Sequence, residues 1–190
     1  MVFRFLFVCF LLFQTSLWSQ KKCDFTENIT DSLGTLRTTK EILMYERVFG
    51  NNENFLFFSL SNSNGVPFLT LQNIQKNNEF IKALCIDPNS KIYLKLENGK
   101  IITLLHTETE NCGNFFRNDE RNVRIVTANF LFLKNTIEEL QKSPIELIRV
   151  KYSTETKDYM IKKELDSEIL KTFSRPANFF IDFLHCVVDN

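Results

Sequence analysis

Two histidines occur in the 190-residue chain, and each sits beside groups that would let it do chemistry. His106, Glu108 and Glu110 alternate with Thr107 and Thr109, so on a strand the imidazole and both carboxylates share one face, a donor set suited to a divalent metal. Nearly consecutive strand positions splay apart, however, so a solvated strand end is the preferred reading and no metal is expected. His185 adjoins Cys186, but a Cys-His nucleophile needs the two side chains in contact, and adjacent helical positions point about 100° apart. The remaining candidates are isolated carboxylates, Asp24, Asp31, Glu108 and Glu110, from which a hydrolase would draw an acid and a base with separated pKa values. The sequence contains no Gly-rich phosphate loop, Cys-x-x-Cys pair or Gly-x-Ser-x-Gly elbow. No catalytic residue and no cofactor is assigned.

The elements that carry these residues follow an export signal. Arg4, the apolar run Phe5 to Phe13 and the polar stretch from Gln14 have the layout of a secretory signal peptide over residues 1–19, cleaved after Ser19 or Gln20. The apolar run is too short for a membrane-crossing helix, which needs about 20 residues. Lipid attachment at Cys23 is disfavoured because Gln20, Lys21 and Lys22 precede it in place of small and aliphatic residues. With 23 basic and 23 acidic side chains the chain has no cationic excess, which argues against nucleic acid or an anionic membrane as partner.

Residues 20–40 read as an irregular, polar N-terminal arm. From residue 41 to 190 the pattern is one β-rich domain, in which short aromatic and β-branched runs alternate with Asn and Gly clusters. Turns are expected at "GNNE", at Asn64-Gly65 and at Asn98-Gly99. A two-residue turn at Asn98-Gly99 would set Leu96 against Ile101, Leu94 against Thr103 and Ile92 against Leu105. Thr136 and Glu139 suggest a capping box for a short helix that ends before Pro144. Two further strands surround "STETK". Pro176, Phe180, Phe183, Leu184 and Val187 then mark a packed C-terminal helix. The expected fold is mostly β with minor α: about nine largely antiparallel strands in a sandwich or a partly open barrel.

The N-terminal "CDF", the hairpin "KIYLKLENGKIITL" and the block "IEELQKSPIELIRVKYSTETKDYMIKKEL", followed by "FLHC", resemble small exported β-rich proteins of unknown function from Bacteroidetes. The resemblance implies an exported location, periplasmic or extracellular, and a β architecture. It implies no reaction.

Cys9 falls in the signal peptide, leaving four cysteines for an oxidising compartment. Extending the register of the Asn98-Gly99 turn pairs Cys85 with Cys112. Cys23 is then left for Cys186, a bridge that ties the arm to the terminal helix. Function is expected to be non-enzymatic: an exported domain that binds an unknown protein or small ligand. A lipocalin-like carrier of an apolar ligand is the alternative, although the one tryptophan, Trp18, lies in the signal peptide and cannot supply that family's Gly-x-Trp motif. The other alternative is the hydrolase built on isolated carboxylates.

Overall fold

A computed structural model describes residues 21–118 and 121–188. The signal peptide read at 1–19 lies outside the described residues. The β-branched and aromatic runs form thirteen strands. In chain order these are β1 (Phe25–Asp31), β2 (Gly34–Thr39), β3 (Ile42–Phe49), β4 (Asn52–Ser63), β5 (Val66–Asn77), β6 (Lys91–Leu96), β7 (Ile101–Leu105), β8 (Asn114–Asn118) and β9 (Arg121–Phe132). The one-turn helix α1 (Ile137–Leu140) precedes β10 (Ile145–Lys151), β11 (Thr156–Met160), β12 (Leu165–Ser167) and β13 (Thr172–Ser174). A 3-10 turn over Pro176–Asn178 leads into α2 (Phe179–Phe183) and α3 (His185–Val188).

Eleven strands form one antiparallel sheet in the order β1-β2-β4-β5-β9-β7-β6-β10-β11, with β3 on β4 and β8 on β9. Two of the three 12-residue strands, β4 and β9, split the sheet. β4 pairs with β3 through Asn52 to Phe58 and with β2 through Ser61 to Ser63, while β9 pairs with β8 at its start and β7 at its end. Alternation assigns one face of each strand to the core: Leu56, Phe58 and Leu60 on β4, Leu69 and Leu71 on β5, Ile92, Leu94 and Leu96 on β6, and Ile148 and Val150 on β10. Phe179, Phe180, Leu184 and Val187 of the terminal helices complete that core. The sheet curls until Tyr45 of β3 meets Tyr159 of β11 edge to face, with ring centroids 5.1 Å apart, yet β3 pairs only with β4 and β11 only with β10. The arrangement is mostly antiparallel β and is not a closed barrel. On the outer face Leu43, Phe55 and Leu165 make a second small cluster beneath the β12–β13 hairpin, and the Ser174 hydroxyl donates to the Leu43 carbonyl at 2.7 Å.

The 20–40 segment departs from the sequence reading. It is a β-hairpin, not an irregular arm, because Asp31 Oδ1 accepts the Leu33 and Gly34 N–H groups and closes the turn. Its exposed side chains, water on both sides of β1, remove the apolar alternation that would have announced a strand.

The hairpin at Asn98-Gly99 also differs. Leu96 N–H donates to the Lys100 carbonyl and Gly99 N–H to the Leu96 carbonyl, both at 2.9 Å, so the loop has three residues. Gly99 has φ +84° while Asn98 is not in the left-handed region, which excludes the two-residue turn that needs positive φ twice. Ile92 therefore faces Leu104, Tyr93 faces Thr103 and Leu94 faces Ile102. The one-residue slip moves Ile102 and Leu104 into the core and leaves Ile101 65% exposed, where the expected register would have put Thr103 opposite Leu94. At Asn64-Gly65 both φ values are positive, +52° and +85°, and the two-residue turn forms between Ser63 and Val66. The Thr136 to Glu139 capping box does not form. The Thr136 hydroxyl donates instead to the Leu133 carbonyl, and Glu139 pairs with Lys100 at 2.6 Å.

Both expected disulfides, Cys85–Cys112 and Cys23–Cys186, are present. The first survives the register change because the ladder shifts once more beyond the hairpin. His106 N–H still reaches the Ser90 carbonyl, but Ile86 then bridges Asn111, so the segment after His106 carries one residue more than the Asp87 to Asn89 turn. That extra residue restores the pairing that brings the two cysteines together.

Candidate functional site

The residues singled out in the sequence do not assemble into a centre. His106 is 3% exposed; its Nδ1 lies 2.8 Å from the Asn129 carbonyl, its ring packs on Phe130, and its Nε2 is buried without a partner. Glu108 accepts from Asn129 Nδ2 at 3.0 Å, and Glu110 is exposed. These three lie past the end of β7, in an irregular segment and not on a strand, and are not grouped around a common point among the described residues. Asp24 pairs with Lys40, Asp31 closes its own turn, and no cavity described below holds two of the four acids.

His185 behaves differently from the helical-spacing argument. Its Nε2 lies 3.3 Å from Cys23 Sγ and 3.6 Å from Cys186 Sγ, because the disulfide draws the Cys186 sulfur back over the ring. The three donor atoms lie within 4.8 Å of one another. Both sulfurs are spent in the disulfide, so the cluster presents no thiolate to a substrate or a metal.

The chemistry of a binding site is found elsewhere, where the curled sheet fails to close. An opening of about 460 Å³ lies at the end of the core face, between Tyr45, Arg47 and Phe49 of β3 and Thr156, Lys157, Asp158 and Tyr159 of β11, with Asn52, Asn54 and Gln75 at its base. The ladders place Arg47 opposite Asn54 and Asn54 opposite Gln75, so these three form one row across the sheet. Tyr45 and Phe49 flank Arg47 on the same face of β3. A second opening of about 460 Å³ lies on the outer face, lined by Tyr93, Lys95, Ile101, Leu147, Arg149 and Lys151. It is walled by a single sheet surface, whereas the first is walled by both arms of the sheet.

Beneath the first opening lie two polar pairs. Asn73 is 1% exposed and its Nδ2 donates to Asn54 Oδ1 at 2.8 Å, and the Tyr159 hydroxyl lies 3.0 Å from that of Tyr152. Burial pushes the Tyr159 phenol up to about 12 and raises Tyr152 well above the ordinary value, so both hydroxyls are neutral donors. Asn73 Oδ1 is buried without a partner. Asp158, the one acidic residue along this wall, turns its side chain to the outer face, where Arg149 grips both carboxylate oxygens at 2.6 and 2.7 Å. That hydrogen-bonded guanidinium holds the Asp158 carboxyl below its usual range and raises Arg149.

Sequence reasoning missed this row, although its signal was available. The turn at "GNNE" was legible, and carrying its register along β3 and β4 sets Arg47 against Asn54. What the sequence hides is that β11, more than a hundred residues later, supplies the opposite wall.

No protein-family model, no curated protein and no solved structure matches the chain. Among the described residues no helix is long and apolar enough to cross a membrane.

Proposed function

We propose that the chain is an exported, non-enzymatic binding domain, periplasmic or extracellular, and that the mouth between β3 and β11 holds a small polar ligand. One observation carries the reading: the mouth concentrates hydrogen-bonding and charged side chains from both arms of the sheet, yet it offers no free carboxylate, because Asp158 turns its side chain to the outer face and is held there by Arg149. Acid-base hydrolysis by paired carboxylates needs a second, differently poised acid, and the lining supplies none. An apolar cargo is disfavoured because the space a carrier would leave open is filled by Phe179, Phe180 and Leu184, and the remaining mouth is polar. Two disulfides and a signal-like leader support the exported setting.

Amide NMR of the mature, oxidised protein tests the proposal against a fragment set of sugars, amino acids and nucleosides. Shift changes confined to residues 45–54, 75 and 156–159 support it. Changes confined to another surface, or release of a cleaved product, overturn it.

A further inference from the structure

We infer that the ligand of this mouth is an acidic saccharide, a sugar carrying a ring carboxylate of the uronate type. The inference rests on the binding reading above and adds the ligand class.

The first argument is charge. Arg47 and Lys157 face the mouth from opposite walls, and neither enters an ion pair among the described residues. Asp158 does not offset them, since both of its oxygens are committed to Arg149. The mouth is thus a concave site with two uncompensated cations at its sides, which favours an anion. Arg47 offers a planar fork that matches a carboxylate, and Lys157 a mobile point charge.

The second argument is the pattern of neutral groups. Asn52 and Gln75 each present a donor and an acceptor, and Asn54 presents its amide N–H donors, which suits neighbouring sugar hydroxyls. The row from Arg47 to Gln75 advances by one strand spacing, about 5 Å, at each step, so a bound ring spans adjacent side chains. The Asn54 carbonyl is already held by Asn73, which fixes the middle amide before any ligand arrives.

The third is the aromatic wall. Phe49 is 79% exposed at the rim, and Tyr45 lies deeper on the same face. Flat rings beside amides and a cation suit the C–H face of a sugar and leave the hydroxyls to the amides. Phosphate fits less well. Its usual cradle is a run of consecutive free backbone N–H groups at a loop or helix start, whereas β3 and β11 are each paired on one side, so their free N–H groups alternate with bonded ones. Glycoside cleavage is not part of the inference, because it needs two carboxylates across the bond and the lining has one.

The test is calorimetric titration of the mature, oxidised protein with a tri-galacturonate, a neutral galactose trimer and inorganic phosphate, with NMR to locate each. The acidic trimer is expected to bind at least ~10-fold tighter than the neutral one, more weakly as salt rises, with shifts at residues 45–54, 75 and 156–159. Arg47→Gln and Lys157→Gln should each weaken it by about 10-fold or more while leaving thermal stability unchanged. If the neutral trimer or phosphate binds the mouth as tightly, the acidic-saccharide inference falls and the binding reading stands. If no acidic trimer reaches the mouth while other fragments do, the inference falls alone. If neither these probes nor the fragment set shifts the mouth residues, both fall.

Discussion

Tyr152 and Tyr159, seven residues apart across the turn between β10 and β11, hold their hydroxyls 3.0 Å from each other with both rings almost fully buried. The pair anchors β11, the last strand of the sheet, to the core from which the β3 edge rises on the other side. It also makes stability sensitive to alkali.

An exposed tyrosine ionises near 10, whereas burial pushes Tyr159 up to about 12 and raises Tyr152 well above its ordinary value. Between about 10 and 12 the unfolded chain therefore binds fewer protons than the folded one, and stability falls as pH rises. The expected slope is about 1.4 kcal/mol per pH unit for each tyrosine, and stability is complete below about 10. Urea midpoints followed across this range test it, and Tyr152→Phe should roughly halve the slope. If the phenol absorbance that disappears on Tyr152→Phe or Tyr159→Phe titrates near 10 in the still-folded protein, the burial argument fails.

Much of this architecture was legible in the sequence, and the failures have local causes. Strands β4, β5 and β9 were visible because their aromatic and β-branched runs serve a core. The β1–β2 hairpin was hidden because β1 beyond Phe25 faces water and the turn is closed by the Asp31 side chain in place of a glycine-rich dipeptide. The register at Asn98-Gly99 was misjudged by one residue because dipeptide identity does not distinguish a two-residue loop from a three-residue loop with glycine last; burial of Ile102 and Leu104 makes that choice. The mouth was invisible for a different reason. Arg47 and Lys157 look like ordinary solvated charges until the curl of the sheet sets β3 facing β11.

A buried carboxylate ties the far end of β4 to β9. Glu53 is 7% exposed, contacts the Arg121 guanidinium through Nη1 and lies 3.8 Å from Lys76 Nζ. Removing Arg121 leaves the buried carboxylate with Lys76 alone, whereas removing Glu53 leaves Arg121 and Lys76, each about a third exposed, within reach of water. Arg121→Ala is therefore expected to cost about 3 kcal/mol, and Glu53→Ala less. Chemical denaturation of each single variant and the double variant tests the coupling; additive losses would show that the pair does not act as one unit.

Two glycines separate conformational from steric cost. Gly99 has φ +84° and an added Cβ would meet nothing within 4 Å, so Gly99→Ala should cost about 1 kcal/mol through backbone conformation alone. Gly113 has φ +70°, and its added Cβ would lie 2.1 Å from the Ile125 carbonyl oxygen. Gly113→Ala must therefore displace β8 from β9 and should cost at least ~3 kcal/mol. Equal thermal shifts for the two variants would count against this account.

The Cys23–Cys186 bridge spans 163 residues and Cys85–Cys112 spans 27, so closure entropy ranks the first as the larger constraint on the unfolded chain. The chain-entropy relation gives about 5 kcal/mol for the long loop and about 3.5 kcal/mol for the short one. The long bridge also acts in the folded state. It joins residues before β1 to α3, and on α2 Asp182 pairs with Lys21 at 2.8 Å while Lys21 lies over the Phe183 ring. The Asn62 amide meanwhile donates to the Val187 carbonyl at 2.6 Å. Replacing Cys23 and Cys186 together by Ser should thus lower global stability more than replacing Cys85 and Cys112. It should also raise amide exchange first in α2 and α3, while the β6–β7 ladder keeps its protection relative to the new global limit. Because Phe179 and Phe180 of α2 are core residues, loosening the helices exposes apolar surface, which increased dye binding before global unfolding would register. Uniform loss of protection across helices and sheet, or a larger loss from the Cys85 and Cys112 double variant, would show that the terminal tether is not the dominant constraint.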